Sequence, residues 1–514
     1  MNEGEVFVID LFAGPGGLGE GISSCIHQNG NRPFKIGVSV EKEASAHRTL
    51  TTRAFFRKTR NHDAARADYY RYVRKEITRE ELFSKHEVLS SEALQETLEK
   101  PRALGDDNEL IHTRIRELSE THNGPKVVIG GPPCQAYSLA GRSRNAGNSE
   151  YEAKEDHRHY LYKEYLNVIS IAQPELFIME NVRGILSAKV DGKVMFPQIL
   201  KDLRDPGSVT EIQDVPTYKI YSLVCPAEEP LDPNYSDNSD FLIRSELYGI
   251  PQARHRVILL GVREDLDYTP EILIQNEDSQ VTVEQAICDL PPLRSGFSKQ
   301  KDNTQSWETA INEHADRLKN IFMENHPQKT VDELDLSPLI SLPRRSSIHE
   351  KIDEADMPEN LKNWIIDDNL GCVLNHETRG HMAEDLLRYA FCASYAKLNN
   401  GTSPKSKNFP VELAPKHANW KTGKHADRFR VQSATKAATT ITSHISRDGH
   451  YFVHYDPQQC RSLTVREAAR LQTFPDNYYF EGPRTQQYVQ VGNAVPPFLA
   501  NLIGLNILKS KVLE

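Results

Sequence analysis

The glycine-rich segment after the first apolar run most constrains the fold of this 514-residue chain. The apolar run Val6–Phe12 predicts a buried strand, and Leu18–His27 predicts a helix. Between them, Gly14, Gly16 and Gly19 have the GxGxxG spacing. Glycines at these positions permit a tight strand-to-helix turn and let a ligand approach the backbone. The pattern alone fits NAD, FAD or S-adenosylmethionine, so a dehydrogenase is one open interpretation and a tight turn without ligand is another.

The rest of the first half continues the alternation of strands and helices. Helices are predicted at Glu43–Thr52 and around Leu161–Ala172. Further strands are predicted at Phe34–Val40, Lys126–Ile129, Glu175–Met179, Tyr218–Val224 and Arg256–Val262. Such alternation predicts an α/β fold with a mostly parallel, doubly wound sheet. The rhythm stops after Pro292, so we expect a second domain to begin there.

Composition limits the setting in which the chain works. The seven cysteines include no CxxC pair and are odd in number, which favours a reduced, cytoplasmic protein without disulfides. No apolar run is long enough to predict a membrane span, and the acidic start does not resemble a secretory signal. The net charge of −10 argues against a nucleic-acid partner, although net charge is a poor guide to local potential.

Two segments run against this acidic balance. Between Lys397 and Lys436 nine basic residues face only two acidic ones, and aromatic residues are interleaved with them. Basic and aromatic residues together predict a surface that contacts phosphates and bases, with a solvated loop as the alternative. The stretch Arg53–Arg79 is also basic, and there we expect a solvated helical face.

A second loop carries a cysteine at a place suited to chemistry. In Gly130–Ser138, two prolines precede Cys134 directly after a predicted strand, so Cys134 is either a nucleophile or a small buried apolar residue. Glu180 ends the next strand, which places it at the same edge of a doubly wound sheet. Alternation puts Arg254 and Arg256 on one face of a later strand, where a structural ion pair is the alternative role.

Taken in order, these segments resemble the DNA (cytosine-5) methyltransferase family of the bacterial type. The resemblance runs from about Val6 to Leu508, except for the middle of the chain. The segments that carry it are DLFAGPGGLGEGI (Asp10–Ile22), GGPPCQAYSLAG (Gly130–Gly141), MENV (Met179–Val182), YGIPQARHRV (Tyr248–Val257), RSLTVREAARLQTFP (Arg461–Pro475) and QVGNAVPP (Gln490–Pro497). Two departures stand out: Lys42 replaces a frequent aromatic residue, and 77–124 is a long insertion.

The resemblance implies roles for individual residues. Cys134 is then the nucleophile, Glu180 protonates or hydrogen-bonds the cytosine ring nitrogen, Arg256 contacts the base carbonyl oxygen and Arg254 supports it. The implied S-adenosylmethionine-binding residues are Phe12, Gly14, Gly16, Glu41, Asp68, Pro132, Leu161 and Asn493. The expected DNA contacts are Gln135, Ser138, Arg142, Lys421, Lys424, Arg428 and Arg430.

The resemblance also implies an organisation and a partner. The unit 1–293 plus 483–514 is then the cofactor-binding catalytic domain, and 294–482 is the target-recognition domain. We expect a monomeric, nucleoid-associated enzyme that flips cytosine out of double-stranded DNA, in restriction–modification or phage defence beside possible cognate proteins. An RNA methyltransferase of the same fold and an inactive DNA-binding relative are the alternatives. Cys372, His376, His381 and Cys392 together could bind zinc, but a structural or DNA-contacting cluster is the favoured interpretation and no metal is expected.

Overall fold

A computed structural model describes residues 5–27, 29–133, 158–190, 192–275, 280–299, 301–324, 342–344, 356–415, 420, 427–509 and 513. Its strands are β1 (Val6–Leu11), β2 (Phe34–Val40), β3 (Lys126–Gly130), β4 (Leu176–Val182), β5 (Lys189–Val190), β6 (Lys193–Val194), β7 (Tyr218–Tyr221), β8 (Leu242–Arg244), β9 (Gln252–Ala253), β10 (His255–Arg263), β11 (Gly296–Phe297), β12 (Gly380–His381) and β13 (Ala438–Thr439). Its α-helices are α1 (Gly17–Ser23), α2 (Ala44–Lys58), α3 (Asp63–Val73), α4 (Arg79–Lys85), α5 (Glu87–Glu96), α6 (Asn108–Thr121), α7 (Arg158–Ala172), α8 (Phe196–Arg204), α9 (Val283–Ile287), α10 (Thr304–Met323), α11 (Glu359–Ile365), α12 (Ala383–Leu398), α13 (Val465–Leu471), α14 (Arg484–Asn493) and α15 (Pro497–Leu508).

One seven-stranded sheet forms the centre of the molecule. Its order is β2-β1-β3-β4-β10-β7, and β8 also pairs with β10. Strands β2, β1, β3 and β4 pair in parallel, whereas β10 runs antiparallel to both β4 and β7. The predicted α/β fold with a mostly parallel sheet is therefore confirmed.

Side chains of the central strands alternate between two apolar layers. On β1, Val6 and Val8 face a cluster that includes α1 and α15, whereas Phe7 and Ile9 face the cluster that includes α6, α7 and α8. Burial on both faces explains why the strand reads as a continuous apolar run instead of an alternating pattern. The carboxyl ends of β1 to β4 are thereby held at one edge of the sheet, called the upper edge below.

The last two helices of the chain, α14 and α15, pack against elements from the first half of the chain. The stretch Arg484–Leu508 is long and apolar enough by composition to cross a membrane, but 78% of its 18-residue apolar window is buried inside the protein. Its second part, α15, packs against α1, where an added Cβ at Gly21 would lie 2.2 Å from the Pro497 carbonyl oxygen. Their burial makes these helices core elements of the protein.

A separate apolar cluster lies in the polar second half of the chain. It joins α10, α12 and the segments around Phe409, Phe429 and Val453. The strand pair β9–β13 and the buried ion pair between Arg470 and Asp289 (2.6 Å) connect residues of this half to the first half. A further apolar cluster combines residues of α9, in the first half, with residues of α13 and α14. Residues 463–491 therefore pack with the first half.

The basic stretch Arg53–Arg79 is not the solvated helical face that the sequence predicted. Arg53 is buried and forms a two-point ion pair with Glu20, with an Nε–Oε2 distance of 2.9 Å. Arg57 is also buried and pairs with Glu96 at 2.5 Å. The prediction was wrong because both carboxylates are supplied by other helices, and local composition does not reveal them.

Candidate functional site

The glycine loop at the end of β1 is held in a conformation that few side chains tolerate. Phe12, Gly14 and Gly16 all have positive φ angles (54°, 59° and 97°), the left-handed region in which glycine is least strained. A Cβ on Gly16 would also approach Leu50 Cδ1 to 2.7 Å, whereas one on Gly14 would meet no atom within 4 Å. The loop is therefore tight against α2 on one side and open on the other.

Glu41 fastens this loop to the end of β2. One of its carboxylate oxygens accepts a hydrogen bond from the Gly14 N–H (2.8 Å), and the other accepts from the Glu43 N–H (2.7 Å). Burial raises the pKa of the Glu41 carboxyl, and these two backbone donors oppose that rise. Each oxygen keeps a second lone pair, so Glu41 can still accept from ligand hydroxyls.

The turn before α6 lies against the same edge. The Arg102 N–H donates to the Glu41 carbonyl oxygen (2.9 Å), and a Cβ on Gly105 would lie 3.5 Å from the Leu161 side chain. Asp107 accepts from the Ala103 N–H (2.8 Å), which closes the turn. The structure thus brings Glu41, Leu161 and the turn Ala103–Asp107 together. The exposed carboxylate of Asp106, at the tip of this turn, has no hydrogen-bond or ion-pair partner among the described residues.

Asp68 is not brought to this edge. It lies on α3, where its carboxylate accepts from Arg71 (2.8 Å) and contacts the His86 ring nitrogen (3.1 Å). His86 in turn packs against Phe55, which lies eleven residues beyond the start of α2, or roughly 16 Å along that helix. The structure therefore does not bring Asp68 to Glu41 and Leu161, as the prediction requires. The acidic turn that does lie there contains Asp106, and its only signal in the sequence is a Gly-Asp pair inside the insertion 77–124.

The end of β4 and the start of β10 place a carboxylate and a guanidinium side by side. Glu180 Oε1 lies 2.9 Å from Arg256 Nε, and each of the two side chains is 13% exposed. A Cβ on Gly131 would approach Glu180 Oε2 to 2.9 Å, so a side chain there would displace the end of the Glu180 side chain. The neighbouring Asn181 side chain donates to the Pro132 carbonyl oxygen (3.1 Å) and fixes the chain just before residue 134. Glu180, Arg256 and Pro132 thus meet at the upper edge.

Arg254 does not reach this pair by hydrogen bonding. Its side chain is 2% exposed and donates to the carbonyl oxygens of Ile441 (2.8 Å) and Gly492 (3.3 Å). Burial holds the pKa of its guanidinium well below the ordinary value. Arg254 therefore joins β10 to the end of α14, and its role in support of Arg256 stays a prediction.

The end of α14 brings the C-terminal part of the chain to the glycine loop. Asn493 is the last residue of this helix and is exposed. A Cβ on Gly17 would approach the Val495 carbonyl oxygen to 2.3 Å, and the Tyr478 hydroxyl donates to the Pro15 carbonyl. The predicted cofactor residues Phe12, Gly14, Gly16 and Asn493 therefore belong to adjoining segments.

Several predicted contacts fall outside the described residues. These are Cys134, Gln135, Ser138, Arg142, Lys421 and Lys424. Arg428 and Arg430 are described, and each already pairs with a carboxylate: Arg428 with Asp448 (3.1 Å) and Arg430 with Asp427 (2.6 Å).

The aromatic residues of the basic segment Lys397–Lys436 were predicted to lie on a surface, but those that the structure describes pack in a core. Phe429 and Phe409 are 2% and 8% exposed and pack with Trp420 in the cluster around α12. They build a core and do not form a base-contacting surface. The prediction was wrong because an aromatic residue between basic residues is equally typical of a core position in an irregular segment.

His376 and His381, two of the four residues that could bind zinc by sequence, have hydrogen-bond partners within the protein. The His376 ring contacts the Thr464 hydroxyl (2.9 Å) and the Pro291 carbonyl oxygen (2.8 Å). His381 contacts the hydroxyls of Tyr389 (3.2 Å) and Ser462 (3.3 Å). Within the described ranges, no group of three or more histidine, cysteine, aspartate or glutamate side chains has a metal-binding arrangement.

Comparison with known proteins identifies the family of the chain. The family model described as C-5 cytosine-specific DNA methylase matches residues 88–229 and 234–509. The type II methyltransferase M.Bpa9945I of Bacillus paralicheniformis is 33% identical over 97% of both chains. M1.HphI of Haemophilus parahaemolyticus is 25% identical over 84% of this chain and 82% of its own, and M.DdeI of Desulfomicrobium norvegicum is 26% identical over 74% and 72%. The chain therefore belongs to the C-5 cytosine-specific DNA methylase family and is a DNA (cytosine-5) methyltransferase.

Proposed function

We propose that this enzyme transfers a methyl group from S-adenosylmethionine to C5 of a cytosine flipped out of a specific double-stranded DNA sequence, through a covalent Cys134–C6 adduct. The observation that supports this most is the Glu180–Arg256 pair (2.9 Å) packed against Gly131, in the loop that leads directly to Cys134. This pair lies at the same sheet edge as the open side of the glycine loop. A stacked base cannot reach such an edge, so flipping is required.

The side chains at the upper edge match the needs of the reaction. Cytosine C5 is a poor nucleophile until the Cys134 thiolate forms a bond to C6, which shifts the electrons of the C5–C6 double bond toward C5 and the ring nitrogen N3, whose negative charge the adjoining carbonyl shares. Glu180 supplies a proton or hydrogen bond to the ring nitrogen, and Arg256 stabilises the charge on the carbonyl oxygen. After C5 is methylated, a base removes its proton, the S–C6 bond breaks and the thiolate leaves.

The glycine loop has the chemistry to hold the cofactor. Bound S-adenosylmethionine supplies an electrophilic methyl group. The open side of Gly14 admits it close to the backbone, and Glu41 accepts from the ribose hydroxyls. Phe12, Gly16, Pro132, Leu161 and Asn493 line the same region in this proposal.

We assign the carboxylate that contacts the adenine to Asp106 in place of Asp68. Asp106→Asn should weaken S-adenosylmethionine binding by about 10- to 100-fold, because a charged hydrogen bond contributes roughly 1.5–3 kcal/mol. Asp68→Asn is the matched control and should change the affinity by less than about twofold, since its partners are Arg71 and His86. Isothermal titration calorimetry measures both dissociation constants. If Asp68→Asn weakened S-adenosylmethionine binding and Asp106→Asn did not, Asp68 would be the adenine-binding carboxylate.

Sequence selection is proposed to lie in the region 294–482, with 1–293 plus 483–514 as the catalytic domain. The basic residues of this region would hold phosphates, whose contacts make DNA binding salt-dependent despite the net charge of −10. The similarity to type II methyltransferases favours a role in restriction–modification, beside a cognate nuclease, in a monomeric cytoplasmic enzyme. An RNA substrate is the competing candidate.

Expression in a host that lacks DNA methylation tests this function directly. Bisulfite sequencing of the host genome should reveal 5-methylcytosine at one short recurring sequence and nowhere else. Purified enzyme should methylate duplex DNA that contains this sequence and leave transfer RNA unmodified. An unmethylated genome together with methylated transfer RNA would replace DNA by RNA as the substrate.

A further inference from the structure

A large open cavity lies at the opposite edge of the sheet from Glu180 and the glycine loop. It has a volume of about 2750 Å³ and is lined by the starts of β1 and β2, the end of α1, the end of α2 and the first turns of α3. Residues Glu5, Pro33 and Phe34 mark this lower edge. Because β1 spans roughly 17 Å, the cavity is separated from the proposed catalytic edge by the length of a strand.

Three arginines converge on this cavity without carboxylate partners among the described residues. Arg32 donates to the Ser24 carbonyl oxygen (2.5 Å) and Arg60 to the Ser23 carbonyl oxygen (3.2 Å), so both are held at the end of α1. Arg66 lines the same cavity from α3, and its Nε is buried without a hydrogen-bond partner. The nearby acid Glu20 is already paired with two other arginines, Arg53 and Arg57.

This arrangement is costly for the protein by itself. Burial, together with repulsion from the neighbouring guanidinium of Arg32, lowers the pKa of Arg60 to about 10. Burial also lowers the pKa of Arg32, and Arg66 contributes to that fall. His27 adds a ring nitrogen, Nδ1, that is buried in the same place without a partner. Partly buried cations that lack counterions are stabilised most by an external anion.

We propose that Arg32, Arg60 and Arg66 form a binding site for a phosphate-bearing ligand at the lower edge of the sheet. Guanidinium groups match phosphate because they donate two parallel hydrogen bonds to its oxygens. The cavity is much larger than a single phosphate and also presents the aromatic side chains of Phe56 and Trp364. It therefore has room for the rest of a nucleotide or for a stretch of nucleic-acid backbone. The site does not depend on the proposed catalytic residues.

Calorimetric titration with sodium pyrophosphate at constant ionic strength tests the site. The wild-type enzyme should bind pyrophosphate in a saturable manner and gain thermal stability with it. The triple variant Arg32→Gln/Arg60→Gln/Arg66→Gln should bind at least about ten-fold more weakly, because each charge-assisted contact is lost. If the triple variant does not fold, the single variant Arg66→Gln replaces it in the test, because this change removes no side-chain hydrogen bond among the described residues. Arg66→Gln should also bind pyrophosphate more weakly than the wild type.

Lys35→Gln is the matched control, because Lys35 lines the same cavity but already pairs with Glu5 (3.7 Å). This variant should bind pyrophosphate as the wild type does, and all folded variants should keep their methyl transfer rate. A duplex of dA·dT that contains no cytosine separates the two sources of phosphate. Weaker duplex binding by the arginine variants identifies backbone phosphate as the ligand, and unchanged duplex binding identifies a free nucleotide. Equal pyrophosphate binding by wild type and the arginine variants, or none by wild type, would overturn the proposal.

Discussion

Replacing Cys134 by alanine should abolish methyl transfer, by at least about 10⁴-fold, while S-adenosylmethionine binding stays within about twofold of wild type. Without the thiolate, no bond forms at C6 and C5 of cytosine stays a poor nucleophile. The proposed cofactor contacts at the glycine loop and Glu41 do not involve the Cys134 thiol, so S-adenosylmethionine binding persists. Transfer of a radiolabelled methyl group to duplex DNA measures the first quantity, and calorimetry measures the second.

A covalent trap makes this expectation sharper. Duplex DNA with 5-fluorocytosine at the target position should form a denaturation-resistant complex with wild type, because the step that removes the C5 proton is blocked. Cys134→Ala should form none. Cys288→Ala is the matched control, since Cys288 is an exposed free cysteine that lies in none of the proposed contacts. A trapped complex or normal methyl transfer in Cys134→Ala would refute the nucleophile assignment.

The local pattern was sufficient to predict the central sheet. Phe34–Val40 was predicted with its observed bounds, and β1, β3 and β4 differ from their predictions by one to three residues at an end. Buried parallel strands carry continuous apolar runs, which are among the clearest signals in a sequence. The glycine loop was equally readable, because a turn with φ of 97° at Gly16 restricts the residue type directly.

Contacts between segments distant in the chain could not be read in the same way. The turn at Asp106 is joined to the upper edge by a hydrogen bond from Arg102 N–H to the Glu41 carbonyl oxygen, and nothing in its own sequence specifies that partner. The burial of Arg53 likewise depends on Glu20, which lies on α1. Tertiary packing decides which residues form such pairs. Hydrophobic periodicity indicates only which face of a segment is buried, and it does not identify the partner.

Glu180→Gln should lower the turnover number for methyl transfer by about 10²- to 10⁴-fold, with little change in the Michaelis constant for S-adenosylmethionine. Glutamine keeps the length of the side chain and its hydrogen-bonding oxygen, but it cannot deliver a proton to the cytosine ring nitrogen. It also removes the charge that holds Arg256 Nε at 2.9 Å, so the guanidinium loses its fixed position beside the base. The effect should therefore fall on the chemical step.

The same strand supplies a matched control for this variant. Glu175 lies just before the start of β4 and pairs with Arg263 at 2.7 Å, so Glu175→Gln removes an ion pair of similar exposure at the other end of the strand. Its turnover number should stay within about twofold of wild type, because this pair lies a strand length away from Glu180 and includes none of the proposed catalytic or cofactor-binding residues. Single-turnover kinetics with target duplex DNA measures both variants. Equal losses in the two variants would make Glu180 a structural residue, whereas a loss confined to Glu180→Gln identifies it as the proton donor that the reaction requires.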